Sequence, residues 1–385
     1  MLLLVIGHNF RLEPAPSAAS EETGSGQRLS ELLGSQRPEG YAIARQPRVF
    51  TFPRDHGPHP EFRNEWWYLT GNLEDERGHR FGYEFTIFRF SLTPFTGEVA
   101  DPVGSSEWKT DQVYIAHFAV TDGDRKKFYV EQRYARGALG LAGAQSDPFR
   151  VWVENWSIAE ATGQAAGGRS PENWRIDVGA DSLALQLDLR AEKPIILNGV
   201  DGLSQKSDEV GNASYYYSIP RLSSSGRIRV GGEQFTVSGT SWLDREWSSS
   251  ALADDQQGWD WFALQLSDGS DLMYYNLRKT DGSQDRHSAG TWIDKNGKAR
   301  HLSRDEVQIS ETDEWVSPRG GTYPGRWEIK VPSLGLVLSV SPILPDQELV
   351  TTVRYWEGAV DVEGSRDGQS IRGRGYVELT GYATP

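Results

Sequence analysis

From residue 52 onward the chain runs in short stretches where apolar and polar residues alternate, the period of a strand with one buried face. The segment LALQLDL puts Leu183, Leu185, Leu187 and Leu189 on one side and Ala184, Gln186 and Asp188 on the other. That predicts an antiparallel strand with one wet face. Between such stretches stand TDGD from 121, GG at 231, SDGSD from 267 and KNGK from 295. Small polar residues and glycines that tolerate positive φ close tight hairpins, so meandering antiparallel sheets are expected.

The same pattern occurs twice. Trp174, Ile176, Val178, Leu183, Leu185 and Leu187 match Trp327, Ile329, Val331, Leu336, Leu338 and Val340 without a gap. An aromatic hairpin precedes each copy, EWWYLTGNLEDERGHRFGYEFTIFR in one and GWDWFALQLSDGSDLMYYNLR in the other. An aromatic strand and a closing strand follow: SYYYSIPR with SGTSWLD, and RYWEGAV with RGYVELT. Two similar β-domains are predicted, at 46–250 and 251–385. Roughly eight hairpin-ordered strands in each suit an up-and-down barrel, which removes exposed edges and leaves room inside for one small ligand. A pair of β-sandwiches has the same local patterns. Residues 1–45 begin with the apolar MLLLVI and continue through small, polar, proline-containing sequence. They are expected to lie outside the fold, as a disordered cytoplasmic tail or as the remnant of an export signal that places the protein in the periplasm.

Composition sharpens this picture. The 385 residues include 14 Trp, 15 Tyr, 14 Phe and 41 Gly, which favours strands and tight turns over helices and predicts an all-β protein. The formal charge of -14 argues against nucleic acid as a partner, because phosphate binding needs clustered Lys and Arg. Cysteine is absent and the seven histidines form no H-E-x-x-H pair, so neither a thiol nucleophile nor a zinc site is expected, and no cofactor is called for. No apolar run reaches the roughly 18 residues of a membrane-spanning helix.

The stretch SWLDREWS (241–248) crowds Asp244, Arg245 and Glu246 between Trp242 and Trp247 at the end of a strand. Phe235, Val237, Gly239, Ser241 and Leu243 share one face, and the charges begin where that pattern stops. The equivalent positions of the second closing strand are Glu378 opposite Trp242 and Thr380 opposite Asp244, so the cluster belongs to one copy and the second domain is expected to be a structural partner. Hydrating an alkene takes an acid, a stabiliser for the cation and a positioned water. A carboxyl group in an apolar pocket has its pKa raised and can serve as the acid, and aromatic faces stabilise cations. Asp244 is the candidate proton donor, with Arg245 and Glu246 beside it. Trp66, Trp67, Trp242, Trp247, Trp259 and Trp261 are the candidate walls, and Tyr216 and Tyr217 the candidates to hold the water. The competing expectation for Asp244, Arg245 and Glu246 is a salt-bridged corner, in which the arginine lowers the carboxyl pKa. For the tryptophans it is barrel core. His117 shares a face with Val113 and Ile115, as a core histidine or a ligand contact. Glu65 is a further carboxylate, next to two tryptophans.

Five ordered motifs, NEWWYLTGNL (64–73), SYYYSIPR (214–221), GTSWLDREWS (239–248), GWDWFALQLSDG (258–269) and YWEGAVDVEGSRDGQSIRGRGYVELTGY (355–382), resemble the AttH and carotenoid 1,2-hydratase family. The resemblance covers essentially residues 50–385. It implies two tandem lipocalin-like antiparallel barrels, often behind an export signal. Some members hydrate a double bond of an acyclic carotenoid, and others are similar to fungal proteins that fold polyene chains in an aromatic pocket. Many bacterial relatives are labelled predicted secreted hydrolases, the group this chain resembles most. In hydratase-like relatives the segment matching LDREW can carry a His next to the Asp, where this chain has Arg245. The expectation is therefore an elongated apolar ligand (isoprenoid, polyene or acyl lipid) in an aromatic cavity of the first domain or at the domain junction, with Asp244 as proton donor. The second class is a lipid carrier without catalysis, serving a membrane transporter from outside the cytoplasm. A secreted hydrolase ranks third, since no G-x-S-x-G elbow occurs.

Overall fold

The computed structural model describes residues 27–28, 39–95, 108–161, 173–180, 182–250 and 252–383. Among them there are strands, three one-turn 3-10 helices and no α-helix. The strands form two sheets, antiparallel but for one pairing: the first is built from residues before 250 and the second from residues after it, joined by the short strand Gln27–Arg28, which pairs parallel with Val353 and Arg354.

The first sheet runs in the order Lys127–Arg136, Gln112–Asp122, Arg80–Ser91, Asn64–Asp75, Glu233–Ser248, Ala213–Val230, Leu183–Ala191, Asn173–Gly179, Trp156–Glu160, Phe149–Val153, Ala142–Ser146. It curls until its two edges approach, where Arg133 on one edge pairs with Glu154 at 3.0 Å and lies over the Trp156 ring. The second sheet repeats this order with two strands fewer at the far edge: Ala299–Ser303, Ala289–Ile293, Asp271–Lys279, Gln256–Leu266, Gln369–Leu379, Val353–Arg366, Leu336–Pro342, Thr322–Val331, Gln308–Val316. In both, the closing strand pairs with the first strand of the aromatic hairpin. Each domain is thus one continuous curved sheet around its own core, not two stacked sheets, and the fold is all-β.

The alternating leucines behave as the pattern dictates. Leu183, Leu185, Leu187 and Leu189 are buried in the first core, and their counterparts Leu336, Leu338 and Val340 in the second. The barrel interior, expected to hold a ligand, is filled instead. Trp67, Trp156, Trp174 and Trp247 occupy the first core, with ionised groups among them. Most of the 1–45 leader lies outside the described residues. Its last part packs on the first sheet: the Tyr41 hydroxyl donates to the Ser91 carbonyl at 2.8 Å, the Ala42 N–H donates to the Glu61 carbonyl, and Ala44 is buried in the core. Further upstream, Gln27–Arg28 pairs with Val353 and Arg354 of the second sheet, so parts of this segment belong to the fold.

The two domains pack through the outer faces of their central strands. Tyr68, Tyr216 and Trp242 of the first join Trp261, Met273, Tyr275 and Tyr376 of the second in one buried cluster, and Phe88, Ile115 and Ala119 join Leu349, Val353 and Tyr355 in another. At the margins Lys193 and Arg221 pair with Asp271, and Arg80 pairs with Asp361.

Candidate functional site

Why three charges sit at the end of the Glu233–Ser248 strand follows from what covers it. Up to residue 240 the strand alternates between a buried and an open face; from Ser241 to Ser248 both faces are buried. Side chains of a strand point to opposite sides in turn. Ser241, Leu243, Arg245 and Trp247 enter the first barrel, while Trp242, Asp244, Glu246 and Ser248 face the second domain.

Arg245 is a barrel-core residue. Its guanidinium lies 3.9 Å from the Trp67 ring centroid, donates to the Gly57 carbonyl at 2.6 Å and is ion-paired with Glu65, which also pairs with Arg89. Burial works to raise the Glu65 pKa, but Arg89, Arg245 and His59 outweigh it and hold the carboxyl well below its ordinary value. His59 stacks on Trp247 at 3.8 Å between ring centroids and hydrogen-bonds Asp55. Trp67, Trp247 and Tyr217, whose hydroxyl is 2.6 Å from His56 Nδ1, belong to this interior. The structure thus separates Arg245, Trp67, Tyr217 and Trp247 from the charges facing outward, correcting their grouping in one site. The expected salt bridge inside SWLDREWS does not form; the arginine's partner is Glu65, on the far side of the strand.

The outward face builds a slot at the domain junction. From the first domain come Trp66, Tyr68, Phe88, Tyr216, Asp244 and Glu246, with Lys206, Ser250 and Leu252 from connecting segments. From the second come Trp259, Trp261, Tyr275, Leu277, Tyr355, Glu357 and Glu378. Together with its mouth, open solvent included, the slot holds about 770 Å3 of empty space.

Strand register sets the polar groups. Asp244 lies between Tyr68 and Ser218 on its neighbours, and Glu246 between Trp66 and Tyr216. The Asp244 carboxylate accepts from the Ser218 hydroxyl at 2.5 Å, from Trp242 Nε1–H at 2.7 Å and from the Tyr216 hydroxyl. Tyr216 in turn accepts from Trp261 Nε1–H at 3.1 Å, a donor from the other domain. Burial pushes the Asp244 pKa up to about 7 against the lowering effect of these three donors. Glu246 accepts from Ser214 and pairs with Lys206 at 3.1 Å. Burial alone works to lower the Lys206 pKa, but the Glu246 charge raises it above the usual value.

The second domain supplies an acid pair that the sequence reading missed. Glu357 and Glu378 face each other directly across paired strands, and Trp261 is the next neighbour of Glu378. Like charges at that position repel. Burial, then Glu378 and Glu84, keep Glu357 well above the usual carboxyl range, and burial pushes part-buried Glu378 up to about 8. One Glu357 oxygen accepts from the Tyr68 hydroxyl at 2.9 Å; the other has no partner among the described residues. The second domain therefore contributes two carboxyl groups to the slot wall. Its closing strand carries Glu378 at the position equivalent to Trp242, and the visible signal was an acidic residue interrupting the aromatic runs RYWEGAV and YVEL.

Of the expected residues, the slot gathers Asp244, Glu246, Trp66, Tyr216, Trp259 and Trp261. Trp242 stands behind, bonded to Asp244 and edge-on to Trp261 at 6.3 Å. His117 is fully buried behind the wall, 2.8 Å from the hydroxyl of Tyr355. Burial pushes its pKa down to about 3, so it holds Tyr355 as a neutral imidazole.

A family model described as AttH-like matches residues 43–382. No curated protein matches the chain. Among solved structures, a protein described as an AttH from Nitrosomonas europaea superposes with a TM-score of 0.75 at 34% identity, over 89% of this chain and 100% of its own. Kievitone hydratase from Nectria haematococca superposes with a TM-score of 0.65 at 17% identity, over 91% of this chain and 98% of its own. CghA with Sch210972 gives 0.51 at 12% identity, over 93% and 98%.

Proposed function

The chain belongs to the AttH-like family, and from that premise we propose that its junction slot binds an elongated, flat, largely apolar ligand and transfers a proton to a carbon-carbon double bond, in hydration or isomerisation. The observation that carries this reading is Asp244. It is a carboxyl group buried among aromatic rings at the slot, with its pKa moved to about 7 by burial, so that it holds and releases a proton near neutrality. Kievitone hydratase, named for hydrating kievitone, shares the fold.

Trp242 can only donate, so it fixes Asp244 Oδ1 as an acceptor and leaves Oδ2, the oxygen facing Tyr216, to carry the proton. A protonated Oδ2 donates to the Tyr216 oxygen, which turns the Tyr216 hydroxyl hydrogen toward the slot. In that arrangement Tyr216 hands its proton to one alkene carbon and recovers one from Asp244. The alkene π pair forms the new C–H bond and the other carbon becomes cationic beside Trp261 and Tyr68. Water then attacks that carbon and its surplus proton returns through Tyr216 to Asp244, completing hydration. Loss of a neighbouring C–H proton by the same route instead gives an isomer.

The test is native mass spectrometry with organic extraction of the protein purified from its own host, wild type beside Asp244→Asn. Proton transfer requires a hydroxylated or rearranged ligand on wild type and its unsaturated precursor on the variant. The same unmodified lipid on both would leave a carrier and end the catalytic reading. With the ligand in hand, the rate is expected to fall as pH rises through about 7, because Asp244 must be protonated to act.

A further inference from the structure

The slot is lined by eight aromatic rings, four carboxyl groups and one cation, and that cation, Lys206, is already matched by Glu246 and lies 4.3 Å from the Tyr275 ring centroid. Among the described residues no arginine lines it. We propose that the slot selects positive charge: its preferred occupant carries a cationic centre, an onium head or a carbon that becomes cationic on protonation, next to a flat apolar body. The second form rests on the proton-transfer reading; the first does not.

Three features argue for this class. Rings such as Trp66, Trp259, Trp261 and Tyr355 present electron-rich faces that attract cations, most strongly where water is excluded. Asp244, Glu357 and Glu378 converge from both sheets while Lys206, the slot's cation among the described residues, is paired with Glu246, so wherever these carboxyl groups are ionised an anionic head group, including a fatty-acid carboxylate, meets like charge. The fully buried Glu357 keeps one oxygen without a partner among the described residues. A neutral hydrocarbon leaves that oxygen unsatisfied, whereas a cation compensates it. Binding also draws protons off the carboxyl groups. Asp244, Glu378 and Glu357 face Glu246, Lys206, Tyr68, Tyr216, Tyr275 and Tyr355, with Glu84 behind Glu357 and His117 neutral behind Tyr355. Affinity for a cation therefore rises with pH across the range where Asp244 and Glu378 ionise, near 7 and 8.

Benzyltrimethylammonium and neopentylbenzene differ only in a charged nitrogen for a carbon, and phenylacetate supplies the anion. Titration of the full chain with each, followed by tryptophan fluorescence and calorimetry, is expected to show the ammonium bound at least about tenfold tighter than the carbon isostere at pH 8.5. It is also expected to bind more weakly at pH 6, with phenylacetate weakest. Glu357→Gln shrinks the preference, and Glu378→Gln supplies the same comparison where the first variant is poorly folded. Equal binding of ammonium and isostere, tighter phenylacetate, or no binding of any probe overturns the proposal. Proton transfer is judged separately by the extracted ligand: equal binding alongside a hydrated ligand sinks charge selection alone, and ammonium selection alongside an unmodified lipid sinks catalysis alone.

Discussion

Asp244 and Arg245 are neighbours in the chain and strangers in the fold. Peptide geometry sends one to the junction and the other into the barrel, so the arginine that was expected to depress the aspartate's pKa spends its charge on Glu65 instead. Arg245→Leu leaves Glu65 with Arg89 and His59 as its remaining counter-charges; unfolding in urea is expected to show a loss of about 3 kcal/mol. Asp244→Asn should cost much less stability while removing proton transfer. Glu84 makes the opposite case, since burial holds its pKa well above the usual value. A carboxyl whose folded pKa exceeds its unfolded one binds more protons when folded, so its contribution is full below the unfolded pKa and is lost as pH rises through the folded one. Glu84→Gln is expected to melt higher than wild type by a margin that widens from pH 6 to pH 9, as read by thermal denaturation followed by circular dichroism.

At the scale of the element, periodicity located the strands and their faces, and turn chemistry decided the pairing. The repeated hairpins have the same spacing from Trp174 to Leu187 and from Trp327 to Val340, yet Ile176 pairs with Leu187 while its counterpart Ile329 pairs with Leu338, two residues earlier. The first hairpin turns through Gly179 at φ +105°; the second closes with the one-turn helix Pro332–Leu334 and Gly335 at φ +59°. A shift of two keeps each side chain on its face, so the core survives it. Strands also meet across the junction. A Cβ on Gly82 would lie 2.4 Å from the Ala359 Cβ of the other domain. Gly82→Val is expected to destabilise by about 1–3 kcal/mol through overpacking there, and to weaken binding of benzyltrimethylammonium as the slot's two walls are pushed apart.

At the scale of the whole molecule, neither half completes the slot, and each hides apolar surface against the other. Tyr68, Trp242 and Tyr216 would be exposed in a chain cut near residue 250. An interface this apolar couples its domains. Differential scanning calorimetry of the full chain is therefore expected to give one cooperative transition, and residues 1–250 expressed alone are expected to associate on size-exclusion chromatography. Two separate transitions, or a stable monomeric half, would show that the junction is a loose contact.

The sequence alone determined the all-β class, the duplicated order of strands, the faces of the leucine-bearing hairpins and the family, because each is written in local periodicity or in ordered motifs. It also marked Asp244 and the tryptophans around it. Only the tertiary structure decided which side of the Glu233–Ser248 strand lines the slot. That strand is buried on both faces near its end, so alternation no longer distinguishes inside from outside. The same packing brings Glu357 and Glu378, more than 100 residues from Asp244 in the chain, to the opposite wall, where burial against aromatic rings raises their pKa values. No pattern within one strand records a neighbour supplied by another domain, and this slot exists only between the two.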